Sequence, residues 1–213
     1  MTEVTGPDGR PVWLYDPAGL DPGAALPLLV ALDGEVWVST QSLPTILDNL
    51  IADAALPPVR AVLPASGGRE ARWAELGSGA GGVGFVVDEL VPWAGTVRGV
   101  ARDRVVVAGQ SLGGLTALRC GLLRPEVVSG VVSESASLWQ DPLVDRVGSA
   151  AGRGPRIHLA WGAQEWVLAP PHEALAHRLD AGGWVVHEAL HNGGHDYAWW
   201  RGDLADGLRW VLG

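Results

Sequence analysis

A chain of 213 residues with 47% hydrophobic and 18% charged side chains has ample apolar material for a core and is no disordered polymer. Its formal charge is −9 and all 15 basic residues are arginine, which argues against a nucleic-acid partner that would require a basic stripe. No apolar run approaches the ~20 residues of a membrane span, the N-terminus lacks the regions of a secretory signal, and the single cysteine, Cys120, excludes an internal disulfide; a cytoplasmic chain forming one domain over residues 1–213 is expected.

Short apolar runs alternate with longer helical patterns, which predicts an α/β architecture with a mainly parallel sheet flanked by helices. In chain order, strands are expected over residues 11–15 and 27–32, the early ones including an antiparallel edge. A helix follows over 42–55, with Ser42 as cap and Pro44 in the first turn, then a strand over 59–64. Residues 66–84, rich in Gly and Ala, read as a long loop near the substrate side with a helical piece around 71–76. A helix over 84–93 precedes a strand over 104–108, whose Val105-Val106-Val107-Ala108 run suits burial on both faces. Leu112, Leu115, Leu118 and Leu122 place one apolar face on a helix over 112–123, where Cys120 reads as a small buried hydrophobe. Strands over 127–133, 156–161 and 184–190 then alternate with helices over 171–181 and 202–212.

The strongest motif is Gly109-Gln110-Ser111-Leu112-Gly113-Gly114, a match to Gly-x-Ser-x-Gly lying between a buried strand and a leucine-rich helix. Such a turn is sharp and strained, so its flanking residues must be small, and it exposes the serine at a helix N-terminus where free amides and the helix dipole favour negative charge. This context predicts an α/β-hydrolase fold with Ser111 as nucleophile.

In that class the remaining triad members follow in the order acid, then histidine. Among the later histidines, His158 and His187 fall inside strands, and His172 and His177 fall on the helix over 171–181, facing away or capping it. His191 and His195 remain, in His191-Asn192-Gly193-Gly194-His195-Asp196, where the glycine pair lets the loop curl so that His195 reaches back over the sheet. Glu165, on the turn after the strand over 156–161, is the first choice of acid; Glu134, Asp141 and a Ser–His dyad stay open. Its task is to hold the imidazole tautomer and stabilise the imidazolium. The oxyanion hole is expected from the amide of Leu112 and an amide of Gly34 or Glu35, where Gly34 permits an unusual backbone and Asp33 ties down the turn.

The chain resembles the enterochelin (ferric enterobactin) esterase family within the esterase D-like group. The resemblance rests on Leu32-Asp33-Gly34-Glu35-Val36-Trp37, Arg72-Trp73-Ala74-Glu75-Leu76, Asp88-Glu89-Leu90-Val91-Pro92, the Gly-Gln-Ser elbow, residues 133–139, and Gly193-Gly194-His195-Asp196 with Trp200-Arg201. These segments occur in order along nearly the whole chain. The resemblance implies a minimal catalytic form, without the N-terminal domain of larger relatives, that hydrolyses ester bonds of a catecholate siderophore trilactone. It also implies Ser111 and His195 as nucleophile and base, Arg72 as a substrate-loop residue and Trp139 as a pocket aromatic. The family's Ser-Gly-Ser-x-Trp-Trp element reads Ser135-Ala136-Ser137-Leu138-Trp139-Gln140 here, losing one aromatic.

Eleven tryptophans against one phenylalanine is unusual, and Trp37, Trp73, Trp139, Trp166 and Trp199 fall on or beside predicted active-face loops, as suits an aryl-lined cleft. Trp161 and Trp184 read as core. Arg69, Arg72 and Arg201 would offset the net negative charge locally for an anionic ester. The expectation is therefore an esterase acting on an aryl-bearing or depsipeptide-type small molecule through a Ser111 acyl-enzyme, without cofactor or metal. An acyltransferase or thioesterase on the same machinery, or a non-catalytic hydrolase-fold binding protein, are the alternatives.

Overall fold

The computed structural model describes residues 1–77, 79, 81–148 and 154–213. The chain opens with β1 (Thr2–Thr5), β2 (Pro11–Tyr15) and β3 (Leu26–Ala31), followed by helices α1 (Gly34–Ser39) and α2 (Leu43–Ala52), and then β4 (Arg60–Pro64). Helix α3 (Arg69–Leu76) leads to a helical run comprising α4 (Gly82–Gly84), a π-helical stretch (Phe85–Leu90) and α5 (Val91–Val97). The second half comprises β5 (Val100–Gln110), α6 (Leu112–Leu123), β6 (Gly130–Glu134), β7 (Arg156–Gly162), α7 (Ala169–Ala181), β8 (Val186–His191) and α8 (Tyr197–Leu212).

The strands form a sheet in the order β1-β2-β4-β3-β5-β6-β7-β8. β1 and β2 pair antiparallel with each other, as do β2 and β4, and every pair from β4 onward is parallel. The predicted architecture and antiparallel edge are therefore present. Strict alternation sends Val105 and Val107 into a core beneath the π-helical stretch, α5, α6 and α7, while Val106 and Ala108 enter a second core beneath α2 and α8. That is why the continuous valine run lies at the centre of the sheet.

Differences from the sequence expectations have local causes. β1 was not anticipated, because Thr2-Glu3-Val4-Thr5 is mostly exposed and carries no strong apolar pattern. Helix α8 starts at Tyr197, not at residue 202, because the Asp196 carboxylate caps the Ala198 amide at 2.7 Å and Gly202 is tolerated inside the helix. Helix α7 accommodates Pro170 and Pro171 in its first turn, where no intrahelical donor is lost. The helix expected over 84–93 extends from Gly82 to Val97 through the wider π turn just before Pro92. Proline has no amide to donate to residue 88 and its ring crowds that carbonyl, strain that a wider turn relieves. Among the described residues, no helix is long and apolar enough to cross a membrane.

Candidate active site

β5 delivers Ser111 to the carboxyl edge of the sheet. Its backbone turns through φ 56° and ψ −118° before α6 begins at Leu112, and its amide donates to the Glu134 carbonyl on neighbouring β6 at 2.9 Å. A Cβ on Gly109 would lie 2.5 Å from the Gly113 carbonyl carbon, so glycine is obligatory there, whereas a Cβ on Gly113 would make only ordinary contacts, 3.4 Å or more. The crowding thus falls on the glycine before the serine.

The loop between β8 and α8 carries His195 back over the sheet. Its Nδ1 lies 2.5 Å from Glu165 Oε1, on the turn after β7. The other carboxylate oxygen of Glu165 accepts from the Ser135 hydroxyl and the Gly162 amide, each at 2.6 Å. Burial works against the Glu165 charge, but donors from His195, Ser135 and Gly162 outweigh it and hold the carboxyl below its usual pKa. The Trp200 indole donates to the Ser135 hydroxyl at 3.0 Å, and its ring meets the His195 imidazole edge-on at 4.8 Å. Trp200, Ser135, Glu165 and His195 thereby form one continuous contact loop.

Ser111 and His195 line the same cavity of about 400 Å³, together with Arg72, Trp73, Leu112, Ser137, Trp139, Val167 and Leu168. The Ser111 hydroxyl has the Ser137 hydroxyl 3.3 Å away, and the Ser137 amide donates to the Ser111 carbonyl at 3.0 Å. Leu112 opens α6, so its amide has no intrahelical acceptor, and Gly34 and Glu35 open α1 in the same condition. The left-handed residue of that early turn is Asp33, at φ 61°, and not Gly34 as expected. Gly34 is instead required for clearance, since a Cβ there would sit 2.5 Å from the Leu63 carbonyl oxygen. The Glu35 side chain is engaged elsewhere, accepting from the amide and hydroxyl of Ser66.

Asp33 does tie down its surroundings. Its carboxylate receives Arg72 through Nε at 2.5 Å and Nη2 at 2.8 Å, and the Gln110 side-chain amide at 2.9 Å. Burial disfavours the Arg72 charge, yet the hydrogen bonds and charge of Asp33 prevail and raise its pKa. Arg72 is therefore both a cavity wall and a clamp between the early turn and the elbow. Gln110 also donates to the Tyr197 hydroxyl at 2.7 Å and accepts from the Trp37 indole at 3.2 Å.

Other predicted residues lie elsewhere. Trp37 is fully buried beneath the elbow, edge-on to Tyr197, and is not on the cavity wall. Trp199 does not line the cavity either; its indole donates to the Gly194 carbonyl at 2.5 Å and its ring stacks on His191 at 4.6 Å, bracing the loop that carries His195. Trp73 and Trp139 meet at 6.1 Å with both rings partly exposed to the cavity. Trp166 is 85% exposed and borders a second hollow of about 320 Å³, lined by Gln164, Glu165, Trp166, Val167, Leu168 and His195. Arg69 and Arg201 line neither hollow.

The alternative acids are separate from His195. Glu134 is fully buried toward Asp203 on α8; burial and the Asp203 charge keep its pKa well above the usual carboxyl value. Asp141 pairs with Arg146 at 3.3 Å. Asp203 collects two of the remaining histidines, His158 Nε2 at 2.9 Å and His191 Nε2 at 2.6 Å, and His158 Nδ1 meets His187 Nδ1 at 2.8 Å. His172 is buried and stacked on Trp161, not turned away from the protein. Sequence reasoning missed Ser135, Ser137 and Asp203; the first two lay within the quoted Ser-Ala-Ser element, but nothing local signals that Asp203 faces two strands.

The chain matches the Esterase family (family description, Putative esterase) over residues 7–211. It is 33% identical to the iron(III) enterobactin esterase of Dickeya dadantii (strain 3937), over 95% of this chain and 52% of that protein. Identity is also 33% to the iron(III) salmochelin esterase of Escherichia coli O6:H1, over 96% of this chain and 54% of that protein. The enterobactin esterase of Shigella flexneri, solved in the presence of enterobactin, superposes with a TM-score of 0.86 at 32% identity, covering 99% of this chain and 58% of that one. The chain spans about half the length of the curated relatives it matches. With the elbow, the Glu165–His195 contact and this match along almost the entire sequence, the chain belongs to the Esterase family, with enterobactin and salmochelin esterases among its relatives.

Proposed function

We propose that this chain is a serine esterase that hydrolyses the ester bonds of an aryl-bearing trilactone, the siderophore class named in its relatives, through an acyl-enzyme on Ser111. The observation that carries the reading is the His195–Glu165 hydrogen bond at the wall of the cavity into which Ser111 opens. With Glu165 ionised, the Nδ1 proton of His195 is held on the carboxylate side and Nε2 keeps a lone pair for the serine proton. Ser111 Oγ attacks the ester carbonyl as His195 takes its proton. The Leu112 amide and an amide at Gly34 or Glu35 then receive the developing oxyanion. His195 returns the proton to the leaving alkoxide, and water repeats the sequence on the acyl-enzyme to free the acid.

The aromatic pair Trp73 and Trp139, with Arg72 beside them, supports an aryl-bearing acyl group. The reading keeps a cytoplasmic protein acting on a small molecule, with no nucleic-acid or membrane partner. Purified protein incubated with enterobactin, iron-loaded and iron-free, is expected to release linear trimer, dimer and monomer resolved by liquid chromatography and mass spectrometry. Ser111→Ala is expected to reduce turnover by at least about a thousandfold. Undiminished turnover in that variant, or intact trilactone with the native protein, would refute the assignment.

A further inference from the structure

The cavity holding Ser111 and the hollow beside Trp166 share three residues, Val167, Leu168 and His195, so the two adjoin along these side chains. On one side lie Leu112, Arg72, Trp73 and Trp139. On the other lie Gln164 and Trp166, on the turn whose Glu165 holds the imidazole. Trp166 and Val167 are 85% and 73% exposed, adjacent large apolar side chains left in water. An apolar pair left in water beside the imidazole is surface that a ligand could cover.

The chemistry assigns a direction to the two sides. In the tetrahedral intermediate the carbonyl carbon is bonded to Ser111 Oγ and its oxyanion faces the Leu112 amide. The ester C–O bond breaks as the leaving oxygen takes its proton from His195 Nε2, so that oxygen has to lie within hydrogen-bond reach of the imidazole. With the oxyanion at the Leu112 amide and the leaving oxygen at the imidazole, the alcohol half can continue from His195 into the hollow lined by Trp166, which leaves the cavity wall of Arg72, Trp73 and Trp139 to the acyl half. Building on the esterase reading above, we infer that Arg72, Trp73 and Trp139 form the acyl subsite and that Trp166, Val167 and Gln164 form a separate subsite for the leaving alcohol, with Trp166 selecting alcohols that carry a planar aryl group. A trilactone whose units each bear an aryl arm presents one such group on either side of every scissile bond.

The test is a crossed set of four esters: N-benzoylglycine and acetic acid, each as methyl and benzyl ester. Trp166 and Trp139 are both well exposed, so Trp166→Ala and Trp139→Ala are expected to fold, which thermal melts check. Trp166→Ala is expected to lower the benzyl-over-methyl ratio of kcat/KM about tenfold for either acid, whereas Trp139→Ala lowers the benzoylglycyl-over-acetyl ratio for either alcohol. Pre-steady-state kinetics add a second readout, because the alcohol has departed before deacylation. The Trp166→Ala loss should fall on acylation, with deacylation of the common benzoylglycyl-enzyme untouched. A loss shared equally by benzyl and methyl esters, or a slowed deacylation, would overturn the subsite assignment alone. Absence of Ser111-dependent turnover on all four esters would remove the esterase reading and the subsites with it.

Discussion

The behaviour of Glu165 and His172 shows how far single side chains depend on their partners. Glu165 keeps its charge because three donors converge on it, and Ser135 is the one among them that is a hydroxyl side chain. Ser135→Ala is expected to lower kcat roughly tenfold with little change in KM, because the carboxylate loses one of its fixed points. With one donor gone the Glu165 pKa is expected to climb back toward the ordinary carboxyl range, which infrared or NMR titration of that carboxyl would read. A purely structural defect would lower stability without moving that carboxyl titration. His172 is pushed down to about 4 by burial, although its Nδ1 meets the Leu168 carbonyl at 2.7 Å. Its folded pKa lies below the unfolded value of about 6.5, so the native state binds fewer protons between those limits. The stability tied to the neutral ring is fully present above that upper value and is lost as pH falls toward 4, on the order of 3 kcal/mol in all. His172→Phe is expected to flatten the fall in melting temperature across this window. An unchanged slope would show that other groups set the acid limit.

At the scale of elements, the elbow depends on the close approach of β5 and α6. Gly109→Ala places a methyl 2.5 Å from the Gly113 backbone, which has no flexible atom to yield. Urea denaturation should register a loss of about 2–3 kcal/mol, with reduced kcat as Ser111 shifts. Gly113→Ala, with only ordinary contacts, should stay within about 1 kcal/mol of the parent. The reverse order would place the steric limit after the serine. This elbow was legible because its glycines, strand and helix are contiguous in the chain. Helix α1 was not legible, since six residues carry too little periodicity to distinguish them from a turn. The start of α8 was placed at residue 202 and not at Tyr197 because the Asp196 cap lay upstream in a segment read as catalytic loop.

For the whole molecule, the parallel strands separate stability from chemistry. The site lies at their carboxyl ends, and a cluster of acceptors around the buried Arg60 lies at the opposite ends. Arg60 is 2% exposed; it pairs with Asp16 at 2.8 Å and donates to the carbonyls of Ala24, Asp21 and Gly99. Arg60→Met strips these acceptors of their donor and is expected to cost about 3 kcal/mol in denaturant unfolding. Because the cluster is remote from the cavity, kcat/KM of the folded variant should remain within about twofold of the parent. A large drop in kcat/KM would reveal coupling across the sheet.

The sequence by itself determined the sheet's alternation, the glycine-bounded serine turn, the candidates Glu165 and His195 for acid and base, and the likeness to the esterase group. Those features are written in local patterns: valine runs, contiguous glycines, and motifs spaced along one chain. Only the tertiary structure decided which carboxylate faces which histidine, because Glu134, Glu165 and Asp203 are all distant from their partners in sequence and are told apart by the direction their side chains take from neighbouring strands and α8. It also decided which tryptophans face the cleft. Trp37 and Trp166 look alike as aromatics near loops, yet one fills the core beneath the elbow and the other stands in water beside the second hollow, an outcome fixed by how α1 and the turn after β7 pack against the same sheet.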